Sequence, residues 1–166
     1  MNTMLKIKNN DSGQLLIESM IGIGIVVVGL LGVVGLLSRS ASLNRVVSQQ
    51  LIANYLASEG IEITKNIIDA NIIKKDPWNQ GFSNGNFEAD YTSLILQFNQ
   101  DRFLSVDSTN GFYGYQSGAP TLFKRTINIK LVSSEEIKVN SIVRWNTRGG
   151  GQFEVNLEDH FFNWRP

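Results

Sequence analysis

Residues 13–37 read GQLLIESMIGIGIVVVGLLGVVGLL, and this stretch decides how the 166-residue chain is organised. Within it, the eighteen residues 20–37 contain no charged or strongly polar side chain. As a helix with a rise of ~1.5 Å per residue they would extend about 27 Å, close to the ~30 Å hydrocarbon core of a bilayer. The stretch therefore predicts a membrane-spanning helix near the N-terminus.

A cleaved secretory signal is the alternative explanation of this apolar run. Such a signal has an apolar region of ~7–15 residues that ends at a small-residue site of the A-x-A type. Here the run is longer, and the sequence SRSASLNRVV that follows it matches such a site poorly. Charges do not orient the helix, because Lys6 and Lys8 precede it while Arg39 and Arg45 follow it.

Glu18 is a lone carboxylate near the start of the apolar helix. An acidic group at the centre of a membrane helix costs on the order of 2.5–3.5 kcal/mol, and less near the interface. A residue tolerated at that cost usually has a partner. A position at the headgroup level, where the helix dipole favours negative charge, explains Glu18 equally well, so the residue alone leaves both roles open.

Residues 13–18, GQLLIE, follow a short polar and basic leader and combine a glycine, three aliphatic residues and a glutamate. Together with the long apolar helix, they resemble the processing site of type IV prepilins and the related pseudopilins, most closely of minor pilins. The resemblance implies a structural filament subunit and not an enzyme. It also implies an α+β, type IV pilin-like fold, in which a long N-terminal helix with a membrane-spanning first half packs on a small antiparallel sheet.

The resemblance assigns roles to three residues of this motif. It implies that a membrane prepilin peptidase cuts the chain after Gly13 on the cytoplasmic side, and that the new amine of Gln14 is methylated. Glu18 would then pair with the N-terminal amine of a neighbouring subunit during assembly. Such a pair would set the axial register of the subunits, because a buried charge left without its partner costs ~3–5 kcal/mol.

Two residues depart from the usual family pattern. Gln14 stands where the family usually has phenylalanine, and an N-terminal glutamine can cyclise and lose its amine. Gly35 stands where many pilins have a helix-breaking proline. A glycine costs ~1 kcal/mol in a helix and permits local flexibility without forcing a kink, whereas close packing of membrane helices is the alternative role for the glycines of this block.

The partners and the location follow from the same resemblance. The implied partners are the prepilin peptidase, other pilin or pseudopilin subunits, an inner-membrane assembly platform and membrane lipid. The implied location is the cytoplasmic membrane, with the N-terminus inside and the head outside, and then a cell-surface or periplasmic filament of a pilus, type II secretion or competence system. The alternative function is an uncleaved, single-pass anchor that displays an adhesive or binding head.

Composition argues against several other classes of protein. Lys plus Arg and Asp plus Glu number 15 each, so the basic excess of a nucleic-acid-binding protein is missing. The chain has no cysteine, and His160 is its only histidine, so it lacks the residues that form the usual zinc sites and catalytic triads. We expect His160 to be a packing or surface residue. No cofactor or metal is expected. A calcium site is the alternative for the scattered carboxylates of the head, although they lack EF-hand spacing: Asp76, Glu88, Asp90, Asp101 and Asp107.

The chain is predicted to have four parts. These are a cleaved leader (residues 1–13), a transmembrane or filament-core helix (residues 14–37), an amphipathic continuation of that helix (residues 38–73) and a globular head (residues 74–166). The continuation places apolar residues at helical spacing on one broad face, which we expect to contact the core: Leu51, Ile52, Tyr55, Leu56, Ile63 and Ile67.

The head is predicted to be a loop followed by antiparallel strands. Residues 74–90 carry the turn signals Asp76-Pro77 and Asn84-Gly85, and the resemblance implies that this loop is exposed. Alternating apolar and polar residues predict strands at residues 103–106, 111–115, 126–132, 136–145 and 152–157. The glycine-rich link 146–151 predicts a hairpin between the last two strands. Strands with one apolar face need a cover, and the amphipathic helix supplies it, which gives an α+β head.

Overall fold

The computed structural model describes residues 11–116, 118–147 and 151–164. The chain divides into two units, with the boundary in the sequence between Arg45 and Val46. One long helix, α1 (Asp11–Lys74), contributes residues to both units. In the described part of the chain, eight strands follow: β1 (Gly85–Glu88), β2 (Gln97–Phe98), β3 (Ser105–Val106), β4 (Tyr113–Gly114), β5 (Ala119–Pro120), β6 (Phe123–Ser133), β7 (Glu136–Asn146) and β8 (Gln152–Phe162). The protein is therefore of the predicted α+β class. Most of the predicted leader, residues 1–10, lies outside the described residues.

The first unit is the N-terminal part of α1. Every side chain from residue 13 to residue 45 is exposed, including large apolar ones such as Met20, Val28 and Leu36. Apolar surface of this extent needs a cover of lipid or protein. By length and composition, α1 is the one helix among the described residues that could cross a membrane.

In the second unit, α1 buries one face against a sheet. The buried positions recur every three or four residues, as expected for a helix with one face in a core: Ala53, Leu56, Ala57, Gly60, Ile63, Thr64, Ile67 and Ile68. The prediction is confirmed for Leu56, Ile63 and Ile67. It was wrong for Leu51 and Tyr55, which are exposed because the sheet covers only part of the broad apolar face of the helix, and Ile52 is partly buried at the edge of the core.

The main sheet has five strands in the order β2-β1-β6-β7-β8, and each neighbouring pair is antiparallel. Its last three strands are consecutive and long, and they confirm the strands predicted at residues 126–132, 136–145 and 152–157. The alternation is confirmed as well, since Ile137, Val139 and Val143 of β7 are fully buried. Pairing of Asn146 with Gln152 confirms the hairpin, although residues 148–150 of its turn lie outside the described residues.

The segment predicted to be an exposed loop contributes to the core instead. Residues 85–88 of this segment form β1, which pairs with β6, and the side chains of Trp78, Phe82 and Phe87 are buried. The indole Nε1 of Trp78 donates a hydrogen bond to the carbonyl oxygen of Ser134 at 3.3 Å. Turns do form near Asp76-Pro77, but Trp78 and Phe82 pack with Ile67 and Ile68 of the helix and cover its apolar surface.

A second sheet lies beside the first and has the order β4-β3-β5. It confirms short strands within the predicted stretches 103–106 and 111–115, whereas β2 and β5, with two residues each, were not predicted. Leu104, just before β3, is fully buried in a cluster with Leu56, Phe123 and Trp145. This contact joins the small sheet, the helix and the main sheet into one head.

Candidate processing and assembly site

The predicted cleavage site lies at the start of the described helix. Gly13 and Gln14 are both exposed residues of α1, close to the point where the described part of the chain starts. A Cβ atom placed on Gly13 would meet nothing within 4 Å among the described residues.

Glu18 lies one helical turn after Gln14, so the two residues share a face of α1. Its side chain is exposed, and across residues 11–116, 118–147 and 151–164 its carboxylate forms no ion pair. The neighbouring hydroxyl of Ser19 donates to the carbonyl oxygen of Leu15 at 2.6 Å, so this polar group is satisfied within the helix. In a lipid environment, a carboxylate without a partner is costly.

Gly35 lies far from the other predicted site residues. At ~1.5 Å per residue, the seventeen residue steps from Glu18 to Gly35 correspond to about 26 Å along the helix axis. The helix runs without interruption past Gly35, and a Cβ atom there would meet nothing within 4 Å. Close backbone contact within the described chain therefore does not explain this glycine.

Glu88 and Asp90, two of the carboxylates considered for calcium, are bound by other side chains. Glu88 is buried and pairs with the guanidinium of Arg102, whose Nε donates to it at 3.0 Å. Asp90 accepts a hydrogen bond from the Thr92 hydroxyl at 2.7 Å and so holds a turn. Among the described residues, no group of three or more His, Asp or Glu side chains could hold a metal ion.

Arg125 carries a buried charge and was not among the residues predicted from the sequence. Its side chain is 0% exposed. One nitrogen, Nη1, donates to the carboxylate of Glu59 at 2.7 Å and to the carbonyl oxygen of Leu56 at 3.0 Å, while Nη2 donates to the carbonyl oxygen of Ala89 at 2.6 Å. The signal was present in the sequence, because the alternation that directs Ile127 inward also directs residue 125 inward.

His160 is a surface residue, which is one of the two roles predicted for it, packing or surface. Its Nδ1 lies 2.6 Å from Glu136 and its Nε2 lies 3.3 Å from Glu158. The hydrogen bond to Glu136, followed by the one to Glu158, raises the pKa of the imidazole above 6.5. Lys138 provides the main interaction that lowers the pKa of Glu158 to about 2.

The fold and the N-terminal segment together define an α+β protein with one long apolar N-terminal helix that could span a membrane. No family model matches the sequence, and comparisons with curated proteins and with solved structures found no significant match.

Proposed function

We propose that this chain is a structural subunit of a type IV pilus-like filament, a minor pilin or pseudopilin with a type IV pilin-like fold. A prepilin peptidase cuts it after Gly13, and the amine of Gln14 is then methylated. The subunit is held in the cytoplasmic membrane by the helix that starts at Gln14, with its head outside. An inner-membrane assembly platform then moves it from lipid into a filament of related subunits.

One observation carries this proposal: the carboxylate of Glu18, which forms no ion pair within the described part of the chain, lies one turn from the predicted new N-terminus, in the exposed apolar stretch of α1. In the membrane, Glu18 lies near the interface, where an acidic group costs less than at the centre of the bilayer. In a filament, the helix is surrounded by other helices, and the carboxylate pairs with the amine of a neighbouring subunit. The pairing fixes the register, while apolar packing supplies most of the adhesion.

The helix within the head adds further support. Val47, Leu51 and Tyr55 follow one another at intervals of four residues, and each is more than half exposed. Residues four apart in a helix share a face, so these three side chains form an apolar stripe. The stripe lies beyond the residues that match the thickness of a bilayer, and a neighbouring helix of the filament would cover it.

The test removes the negative charge of Glu18 while keeping a side chain of similar shape. We expect Glu18→Gln to leave cleavage after Gly13 intact, because the peptidase acts on the other side of Gln14, and to reduce incorporation into filaments at least tenfold. Incorporation is measured as the fraction of the subunit in sheared filaments relative to the membrane fraction. Glu62→Gln, at an exposed acidic position later in the same helix, is the matched control and should incorporate normally.

Two results would contradict the proposal. Normal incorporation of Glu18→Gln would remove the role assigned to its charge. A membrane-bound protein that keeps residues 1–13 in the presence of an active prepilin peptidase would instead favour the uncleaved anchor with an adhesive or binding head.

A further inference from the structure

A groove of about 500 Å³ opens on the head where the β7–β8 hairpin ends, between the β6 and β7 strands and the segment that leads into β3. We propose that this hairpin-end groove binds an acidic saccharide, a sugar that carries a single carboxylate on each ring. Its volume lies within the ~300–1,000 Å³ typical of small-molecule sites. The inference goes beyond the filament role and depends only on residues of the head.

Two cations lie side by side in this groove. Lys124 of β6 and Arg144 of β7 are register partners, and like charges directly opposite each other destabilise a sheet. Each is paired with a carboxylate from another segment: Lys124 with Asp101 at 2.5 Å, and Arg144 with Glu154 at 2.6 Å. The groove therefore combines two neighbouring cations on adjacent strands with one carboxylate paired to each of them.

A ligand carboxylate between the two cations would remove their mutual repulsion. Arginine binds carboxylates through two parallel hydrogen bonds and lysine binds them as a point charge, so this pair suits one carboxylate group. The carboxylates already paired with the two cations, Asp101 and Glu154, would repel any further negative charge. The groove therefore favours a ligand with an isolated carboxylate over a nucleic acid or another densely charged polymer.

The walls of the groove fit the rest of a sugar. The ring of Phe103 is 53% exposed, and the ammonium of Lys124 lies 4.7 Å from its centre, so an apolar surface stands directly beside the cations. The C–H face of a sugar ring packs on such a surface. At the rim, Asn146 and Gln152 are paired residues with exposed side chains, and each amide both donates and accepts hydrogen bonds, as hydroxyl groups require.

The backbone at the mouth of the groove is also unusual. Asp101 has a φ of 57°, in the left-handed region that few residues other than glycine, asparagine and aspartate adopt. Conformations of this kind are concentrated at ligand sites, where the surrounding structure maintains them. Here the conformation belongs to the residue whose carboxylate holds Lys124 above the ring of Phe103.

The test uses the full chain in detergent micelles and follows binding by NMR. The probes are the trisaccharide of galacturonate, the trisaccharide of glucuronate and N-acetylneuraminate, each at millimolar concentration. The galactose and glucose trisaccharides are the neutral controls, and heparin represents a densely charged polymer. We expect at least one acidic probe to shift the resonances of Phe103 and Arg144, and to bind about tenfold more tightly than its neutral counterpart.

Single variants then distinguish specific binding in the groove from non-specific attraction to surface charge. Lys124→Gln, Arg144→Gln and Phe103→Ala should each weaken binding of that probe about tenfold. Lys138→Gln is the matched control, because Lys138 is another cation of β7 that is paired with a carboxylate, and it should bind as the unchanged chain does. The melting temperature of every variant shows whether the head remains folded.

Three outcomes would overturn the inference. The first is that none of the acidic probes binds, and the second is that neutral sugars bind equally well. The third is that heparin binds more tightly than the sugar acids while Lys138→Gln weakens binding as much as Arg144→Gln, which would indicate charge attraction without a specific site.

Discussion

Gly60 occupies the point where α1 comes closest to the main sheet. A Cβ atom at this position would clash with the hydroxyl oxygen of Ser141 and would lie 3.2 Å from the Cδ of Arg125. The absence of a side chain at residue 60 therefore lets the helix approach β6 and β7 closely enough for Arg125 to reach the carbonyl oxygen of Leu56.

Gly60→Ala is expected to lower the free energy of unfolding by about 1–2 kcal/mol, because the added methyl group overpacks this contact more than it improves helix propensity. Adding Ser141→Ala should restore most of the loss, since it removes the oxygen that clashes. That oxygen is buried without a hydrogen-bond partner among the described residues, so its removal costs little. Denaturant unfolding followed by tryptophan fluorescence measures both effects; a Gly60→Ala variant more stable than the parent would contradict this account.

Protonation of His160 makes the stability of the folded head depend on pH. Its pKa is raised by Glu136 first and by Glu158 second, so the folded state binds the proton more tightly than the unfolded state does. The resulting stabilisation is complete below the unfolded pKa of about 6.5 and is lost as the pH rises through the higher folded pKa. Lys138 of β7 is the register partner of His160 and pairs with Glu158, and Lys65 and Asp69 of α1 line a surface groove together with His160.

An NMR titration of the imidazole tests this directly. We expect a midpoint above pH 6.5 in the unchanged chain and a lower midpoint in Glu136→Gln, where the stronger of the two acceptors has lost its charge. The melting temperature of the unchanged chain should fall slightly between pH 6 and pH 8 as a result, and His160→Gln should remove that part of the change. A midpoint at or below 6.5 in the unchanged chain would show that Glu136 does not stabilise the protonated ring.

At the scale of the secondary-structure elements, α1 and the long strands could be predicted because their patterns are local. The alternation around Ile127 and Ile137 is enough to predict β6 and β7, and the long apolar run without proline predicts the helix. Strand β1 could not be predicted, since its four residues begin at a glycine within a turn-rich segment and become a strand only by pairing with β6. Leu51 and Tyr55 were misplaced because helical periodicity gives a broad face and does not say which part of it the sheet covers.

The two sides of α1 should differ in what they contribute to stability. Leu56 is buried between the helix and both sheets, whereas Leu51 is more than half exposed. Leu56→Ala should cost about 3 kcal/mol of unfolding free energy, since it removes a buried side chain and leaves a cavity. Leu51→Ala should change it by less than about 0.5 kcal/mol, as is usual at the surface. Equal losses in denaturant unfolding would show that the exposed stripe also contributes to the core of the head.

The two candidate sites differ in how far the sequence could predict them. The residues around Gly13 and Glu18 are neighbours in the chain, so their spacing is visible without a fold. The hairpin-end groove combines Phe103, Lys124 and Arg144 from three separate segments, and only the register of β6 with β7 places the two cations side by side. No single segment of the sequence carries a signal for such a site.

At the scale of the whole molecule, the chain combines an exposed apolar helix with a head that has its own core. The second unit, from Val46 onward, contains every residue of both hydrophobic clusters, whereas the side chains described in the first unit are all exposed. A filament subunit needs this division, because the helix must exchange lipid for the helices of other subunits while the head stays folded. The same division would serve an uncleaved anchor, so the arrangement of the units does not by itself separate the two functions.

The most direct test is the intact mass of the protein purified from the membranes of cells that also produce a prepilin peptidase. Our account predicts a mass lower by residues 1–13, with one added methyl group on Gln14, and no loss of these residues when Gly13 is replaced by a bulky residue. A protein that still begins at Met1 while the peptidase is active would contradict it, because Glu18 would then have no N-terminal amine at Gln14 with which to pair.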